Sequence, residues 1–269
     1  MLHCKRRTRL IASALCLLAW QTVPAPAHEF WLEPANYQPK RGETVPISIR
    51  IGEKFNGDSF PYVRDEFKRF VVVTARGEQP VKGVSGDDPA VTMKFTTPGL
   101  TVFAHHSTAE PLTFETWEKF ETYLQFEGLQ QIGPLHLKQG KPTTNIRESY
   151  TRCAKLLMRV DGAGGQDRLI GMPLELVAES DPYGLGEGQP LPLRLFYNGK
   201  PVADVQISAV SKANPDKRQI VRTDAEGKAS IALPDRGGWL LNAVHMIEPR
   251  SGAAVQWESL WASMTFARP

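Results

Sequence analysis
His28 is the first residue in this sequence with an obvious chemical use. It lies within the stretch Ala25-Pro26-Ala27-His28-Glu29-Phe30-Trp31 that follows an apolar N-terminal run. Ala25 and Ala27 are the small residues that a signal peptidase needs, so a cut after Ala27 would leave His28 as the first residue. Such a residue carries an α-amine titrating at about 7.7–8.0 beside an imidazole titrating at about 6.5. Neither nitrogen is strongly protected by protons at neutral pH. With a second histidine they form a nitrogen-rich, T-shaped set that suits Cu(II), and Ni(II) or Co(II) less tightly. The other histidines after the cut are His105, His106, His136 and His245. His105 and His106 end an apolar run, and neighbouring rings on a strand point to opposite faces, so one at most joins a single site. His245 shares a strand face with Trp239, Leu241 and Ala243, where a core ring held by a carbonyl competes with a ligand role. His136, between Leu135 and Leu137, ranks lowest.

The cut fits the rest of the leader. Lys5, Arg6, Arg7 and Arg9 form a positive region ahead of the apolar Leu10 to Trp20. That run is far shorter than the roughly 20 residues of a membrane span. Lipid anchoring at Cys16 is disfavoured by bulky Leu15 where a small residue is needed. An exported, periplasmic protein of residues 28–269 is expected. Four basic residues and no acidic ones lie before His28, which takes the formal charge of the remainder from +3 to −1. The basic character therefore belongs partly to the leader and argues for no nucleic-acid partner. Cys4 and Cys16 also lie in the leader, leaving Cys153 with no disulfide partner.

The common catalytic signatures are missing. The sequence has no glycine-rich phosphate loop, nucleophile elbow, His-Glu-x-x-His helix, paired-cysteine zinc spacing or dinucleotide fingerprint. Cys153 reads as a small buried thiol rather than a nucleophile. Glu29, Glu33, Glu179 and Asp181 could complete a ligand set. Tyr150, Arg152 and Lys155 form a polar cluster that could face an anion, although a solvated face is the simpler account. Phe30, Trp31, Trp257 and Trp261 read as core aromatics.

The elements that must position these residues are mostly strands. Val45, Ile47, Ile49 and Ile51 alternate with polar neighbours, as do residues of 90–95 and 100–106. One helix is expected from Phe114 to about Glu127, with Thr113 as N-cap and Gly128 as its stop. Residues 133–142 read as loop, and 145–160 fits either a helical face or a strand. About seven short strands with frequent turns follow, beginning at Leu174 and ending with Trp257 to Phe266. The pattern predicts a mainly β protein. It would have two β-sandwich domains, immunoglobulin-like or transthyretin-like, with one short helix between strands. The boundaries are 1–27 for the signal peptide, 28–145 for the first domain with a helix near 114–127, and 146–269 for the second.

The stretch His28-Glu29-Phe30-Trp31-Leu32-Glu33-Pro34 directly after a leader resembles the start of DUF4198 proteins. The segments 120–129, 148–155, 171–177, 181–183, 198–201, 223–227, 239–245 and 257–266 are similar to that family as well. Residues 223–227 also resemble transthyretin-like and carboxypeptidase-regulatory-like modules. The resemblance implies a periplasmic component of cobalt or nickel uptake, with a metal ion and a membrane metal transporter as partners. Carried over by position, it implies His28 and His245 as ligands.

The resulting expectation is a non-catalytic metal-binding protein for Co, Ni or Cu. His28 and His245 supply nitrogens, and His105 or a carboxylate completes the shell. Two alternatives remain open at the level of sequence. One is a non-catalytic sandwich that binds protein or glycan, and the other is a copper oxygenase with His28 as its brace.

Overall fold
The computed structural model describes residues 28–269, so the expected signal peptide, its expected cleavage after Ala27, and Cys4 and Cys16 lie outside the described residues. The chain runs through β1 (Glu29–Pro34), β2 (Thr44–Glu53), β3 (Asn56–Phe60), β4 (Phe67–Thr74) and β5 (Gly77–Pro80). Then come β6 (Val91–Lys94), β7 (Gly99–Ser107), β8 (Glu110–Thr116), α1 (Trp117–Phe126), α2 (Ile132–Lys138) and β9 (Thr144–Val160). The remainder is β10 (Leu174–Ala178), β11 (Leu191–Tyr197), β12 (Lys200–Pro201), β13 (Gln206–Ser211), β14 (Gln219–Arg222), β15 (Lys228–Ile231), β16 (Gly237–Ile247) and β17 (Trp257–Arg268). The protein is mainly β, as its alternating patterns predict.

A nine-stranded sheet lies at the centre, with β14-β13-β16-β17-β9-β7-β4-β5 in order and β8 paired to the free length of β9. A sheet of β1, β2, β3 and β6 covers one face of it, and α1 and α2 cover the rest of that face. A sheet of β10, β11, β12 and β15 covers the other face. Alternation assigns every central residue to a side. Leu156 and Met158 of β9 pack toward the β1 sheet, while Cys153 and Leu157 pack toward β10 and β11.

The expected boundary between residues 145 and 146 falls inside β9. This strand is antiparallel to β7 and β8 on one side and parallel to β17 on the other. It thereby joins both halves of the chain in one sheet. The ambiguity of 145–160 is resolved in the same way. Leu156, Leu157 and Met158 are consecutive and all fully buried, which a strand covered on both faces accommodates.

Two local expectations need correction. The helix begins at Trp117, not Phe114, because residues 110–116 are drawn into pairing with β9, Phe114 opposite Ile146. Thr116, not Thr113, is the N-cap, and its side chain accepts from the Lys119 amide at 3.4 Å. Gly128 does end the turn, at φ +74°, and a Cβ there would meet Gln206 at 2.6 Å. Residues 133–138, part of the loop expected over 133–142, belong to α2 instead. Its Pro134 lies in the first turn, where a missing amide hydrogen costs no intrahelical bond. Among the described residues, no helix is long and apolar enough to cross a membrane.

The pinning of α2 is specific. Trp257 Nε1 donates to His136 Nδ1 at 2.9 Å, and His136 Nε2 contacts the Pro142 carbonyl oxygen at the same distance. The first bond makes Nδ1 an acceptor, so the proton is on Nε2 and donates to Pro142. Replacing His136→Ala strands the buried Trp257 indole N–H and opens a cavity. A loss of about 2–4 kcal/mol is expected in urea unfolding. A loss under about 0.5 kcal/mol would show that α2 does not depend on this ring.

Candidate functional site
The candidate metal ligands do not converge. His105 lies on the β1-sheet side of the central sheet and is 3% exposed. Its ring is 5.0 Å from Phe30, 5.0 Å from Phe70 and 5.3 Å from Phe67. Burial pushes its pKa down to about 3, with His106 and Arg152 adding to the effect. His105 is therefore a neutral core ring within a cage of phenyl groups. His106 points to the opposite face, half buried, and burial followed by Lys68 and Arg69 lowers its pKa to about 4.

His245 is on the far side as well. It follows Leu241 and Ala243 along the face of β16 that packs toward β11, and its ring lies 5.0 Å from that of Tyr197. β1 packs on the other face, where Thr265 Oγ1 donates to the Leu32 carbonyl at 2.7 Å. His28 leads into β1, so the central sheet separates it from His245. The expected set of His28, His105 and His245 is not brought together. Among the described residues, no group of three or more His, Cys, Asp or Glu side chains is arranged to hold a metal ion.

His28 itself remains accessible. Its side chain is 37% exposed, and its Nε2 lies 3.9 Å from Glu53 Oε1 on β2. β1 and β2 are antiparallel, with Glu29 opposite Gly52, which brings the ends of the two strands together. The next residue is an anchor. Glu29 is partly buried and accepts from the Phe55 amide at 3.3 Å. Its pKa is raised chiefly by burial, with Phe55, Arg218 and Asn242 opposing and Glu53 reinforcing.

Behind Glu29 runs a seam of buried carboxyls that the sequence did not single out. Glu127, at the end of α1, is pushed up to about 7 by burial, against the pull of Arg218 and with Glu29 adding repulsion. Arg218 Nη2 stands 3.7 Å from its Oε2. Glu148 on β9 is completely buried. It accepts from Tyr123 Oη at 3.3 Å and from the Ser259 hydroxyl, which in turn accepts from Trp261 Nε1 at 2.9 Å. Burial raises its pKa to about 7, with Ser259 and Tyr123 opposing and Glu127 reinforcing. With no cation among the described residues in ion-pair contact, Glu148 is a neutral acid over the lower part of the pH range. Glu148 belongs to the even-numbered face of β9, and that parity would have predicted its burial had the segment been read as a strand.

The cluster of Tyr150, Arg152 and Lys155 is likewise divided by the sheet. Tyr150 and Arg152 both bind Glu110, at 2.7 and 2.9 Å. Lys155 is fully buried on the other face, against Asp167 and Glu175. Cys153 is buried, and its thiol is pushed up to about 12 chiefly by burial, which makes it inert.

The raised carboxyl pKa values have a definite sign. A group whose folded pKa exceeds its unfolded one contributes stability below the unfolded pKa and loses it as pH rises through the folded pKa. For Glu148 that window runs from 4.5 to about 7. The unfolding free energy should therefore fall on the order of 2–3 kcal/mol more in the native chain than in Glu148→Gln between about pH 5 and about pH 8.5. Urea titrations at the two pH values measure this. Parallel losses in both chains would show that Glu148 does not titrate in that window.

The comparisons with known proteins identify a family and little more. The family described as "Domain of unknown function (DUF4198)" matches residues 25–247. No curated protein sequence matches. Among solved structures, the chain is similar to the D0-D1 domain of Intimin at 14% identity and a TM-score of 0.20, covering 89% of this chain and 97% of that one. The D00-D0 domain of Intimin is similar at 13% identity and a TM-score of 0.19, covering 89% and 100%. A Salmonella alpha-2-macroglobulin reacted with methylamine is similar at 10% identity and a TM-score of 0.20, covering 90% of this chain and 15% of that one. The match over most of its length shows that the chain belongs to the DUF4198 family.

Proposed function
We propose that the exported chain is a non-catalytic metal-handling protein that holds a divalent transition-metal ion on its N-terminal histidine. The reading rests on one observation, the accessible His28 imidazole with its Nε2 turned toward the Glu53 carboxylate at 3.9 Å. Cleavage after Ala27 would give His28 a free α-amine. That amine and Nδ1 of the same residue can close a chelate ring on one ion. A carboxylate facing Nε2 favours the tautomer with its proton on that nitrogen, leaving Nδ1 free to bind. The partly buried, hydrogen-bonded Glu29 fixes the backbone just beyond the chelating residue.

Amine and imidazole ligands favour Cu(II), then Ni(II) and Co(II). Binding requires both nitrogens unprotonated, so it should weaken below about pH 6. His105 and His245 take no part in this reading. The remaining coordination positions would be filled by water or by a partner, which suits an ion that is passed on. A membrane metal transporter is the kind of partner implied, and the periplasm the compartment.

The test is a thermal melt of residues 28–269 with Co(II), Ni(II), Cu(II) or Zn(II) added separately. A specific ion at a hundred times its dissociation constant adds about 2.7 kcal/mol. One extra alanine before His28 should abolish the gain, and Glu53→Gln should weaken affinity about tenfold or more. If none of the four metals moves the melt, the reading fails. A sandwich that binds protein or glycan then takes its place.

A further inference from the structure
Lys155, Asp167 and Glu175 are three ionisable side chains with no exposure at all. Lys155 stands on β9 between Cys153 and Leu157, facing the core beneath β10 and β11. Its Nζ lies 2.7 Å from Glu175 Oε1, 3.1 Å from the Arg168 carbonyl oxygen, and 3.2 and 3.3 Å from the two oxygens of Asp167. Two carboxylates against one ammonium would leave a net negative charge in a dry core, where burying an ion costs several kcal/mol. One carboxyl must therefore carry a proton.

The hydrogen bonds indicate which. Glu175 accepts from the amides of Ile170, Gly171 and Met172 at 2.7, 2.9 and 3.0 Å, three donors of the kind that favour a carboxylate over a carboxylic acid. Asp167 has two amide donors, Arg168 at 2.8 Å and Ala178 at 2.9 Å, and burial raises its pKa. A neutral carboxyl is an electrophile, whereas an anion repels a nucleophile. The nearly equal reach of Nζ to both Asp167 oxygens places the carbon between them close to the near-attack separation of about 3–3.5 Å.

We propose that Lys155 and Asp167 become joined by an isopeptide bond after folding, with Glu175 as the proton carrier. Glu175 takes a proton from the Lys155 ammonium and frees the amine lone pair. The Nζ–Cγ bond forms as that pair attacks the Asp167 carboxyl. Glu175 then gives its proton to the departing hydroxyl and takes one from the nitrogen. The Cγ–O bond breaks and one water leaves. The products are a neutral amide, one water and a protonated Glu175. No oxidant or other reactant is required. The low dielectric that makes the charged triad costly favours each neutral species along this path. Holding the two groups in place supplies the effective concentration that a reaction of free amine and acid lacks. The bond would fasten the connection between β9 and β10 to the central sheet.

Intact mass spectrometry of the folded chain, with its N-terminus verified, decides the matter. The expected mass is lower than that calculated from the sequence by about 18 Da, one water. Lys155→Ala and Asp167→Ala should each return to the calculated mass. Glu175→Gln keeps both reacting groups yet should also return to it. In a tryptic digest, residues 153–159 should be joined to residues 160–168. A native chain at its full calculated mass overturns the proposal and leaves a buried ion cluster. Joining of 153–159 to 169–194 would make Glu175 the acyl group and overturn the assignment of Asp167. A Glu175→Gln chain that is still lighter would overturn the role given to Glu175.

Discussion
β9 is covered on both faces and hydrogen-bonded along both edges, and the other layers are arranged around it. Its first part pairs with β8 and its second with β7, while β17 runs parallel along the other edge. A parallel partner cannot be reached by a tight turn, so the chain between β9 and β17 must make an excursion. That excursion builds β10, β11 and β12 over one face, enters the central sheet as β13 and β14, adds β15 to the covering sheet, and re-enters the central sheet as β16. The N-terminal segment supplies the opposite cover. A 17-residue strand in this position leaves few side chains free to face water.

Polar residues on such a strand must find partners within the core, and the two faces solve the problem differently. On the β1 side, the donors that reach Glu148 are hydroxyls, and burial raises its pKa to about 7. On the β10 side, Lys155 has two carboxyl groups and a carbonyl, and it is held amid charge. Backbone amides of residues 168, 170, 171, 172 and 178 complete that second network. The irregular connection before β10 is thus tied to the sheet by side chains rather than by strand pairing. His136 belongs to the same class of solution, with both ring nitrogens used.

The central sheet also explains why histidines expected to meet are apart. A sheet excludes contact between its faces as completely as distance does. His105 and His245 are on strands of the same sheet with their rings on opposite sides. What remains at the surface is the entry to β1, where His28 stands beside Glu53. That pairing is local to one hairpin-like contact and needs no second domain.

Much of the fold was legible in the sequence because alternation is a local property. The strand of Val45, Ile47, Ile49 and Ile51, the strands of the last third and the glycine stop at Gly128 all follow from spacing and residue type. The start of α1 was not, since pairing with β9 overrides the helical pattern at Phe114. The nature of 145–160 was not either, because a doubly covered strand has no alternation to display. Of the candidate site, His28 and its leader context were visible in the sequence, and a role for the next carboxylate, Glu29, could be suspected. Glu53, Glu127 and Glu148 were not, nor was the meeting of Lys155 with Asp167 and Glu175. Which side chains share a face across strands depends on pairing order and register, and those are set by long-range contacts that no local pattern encodes.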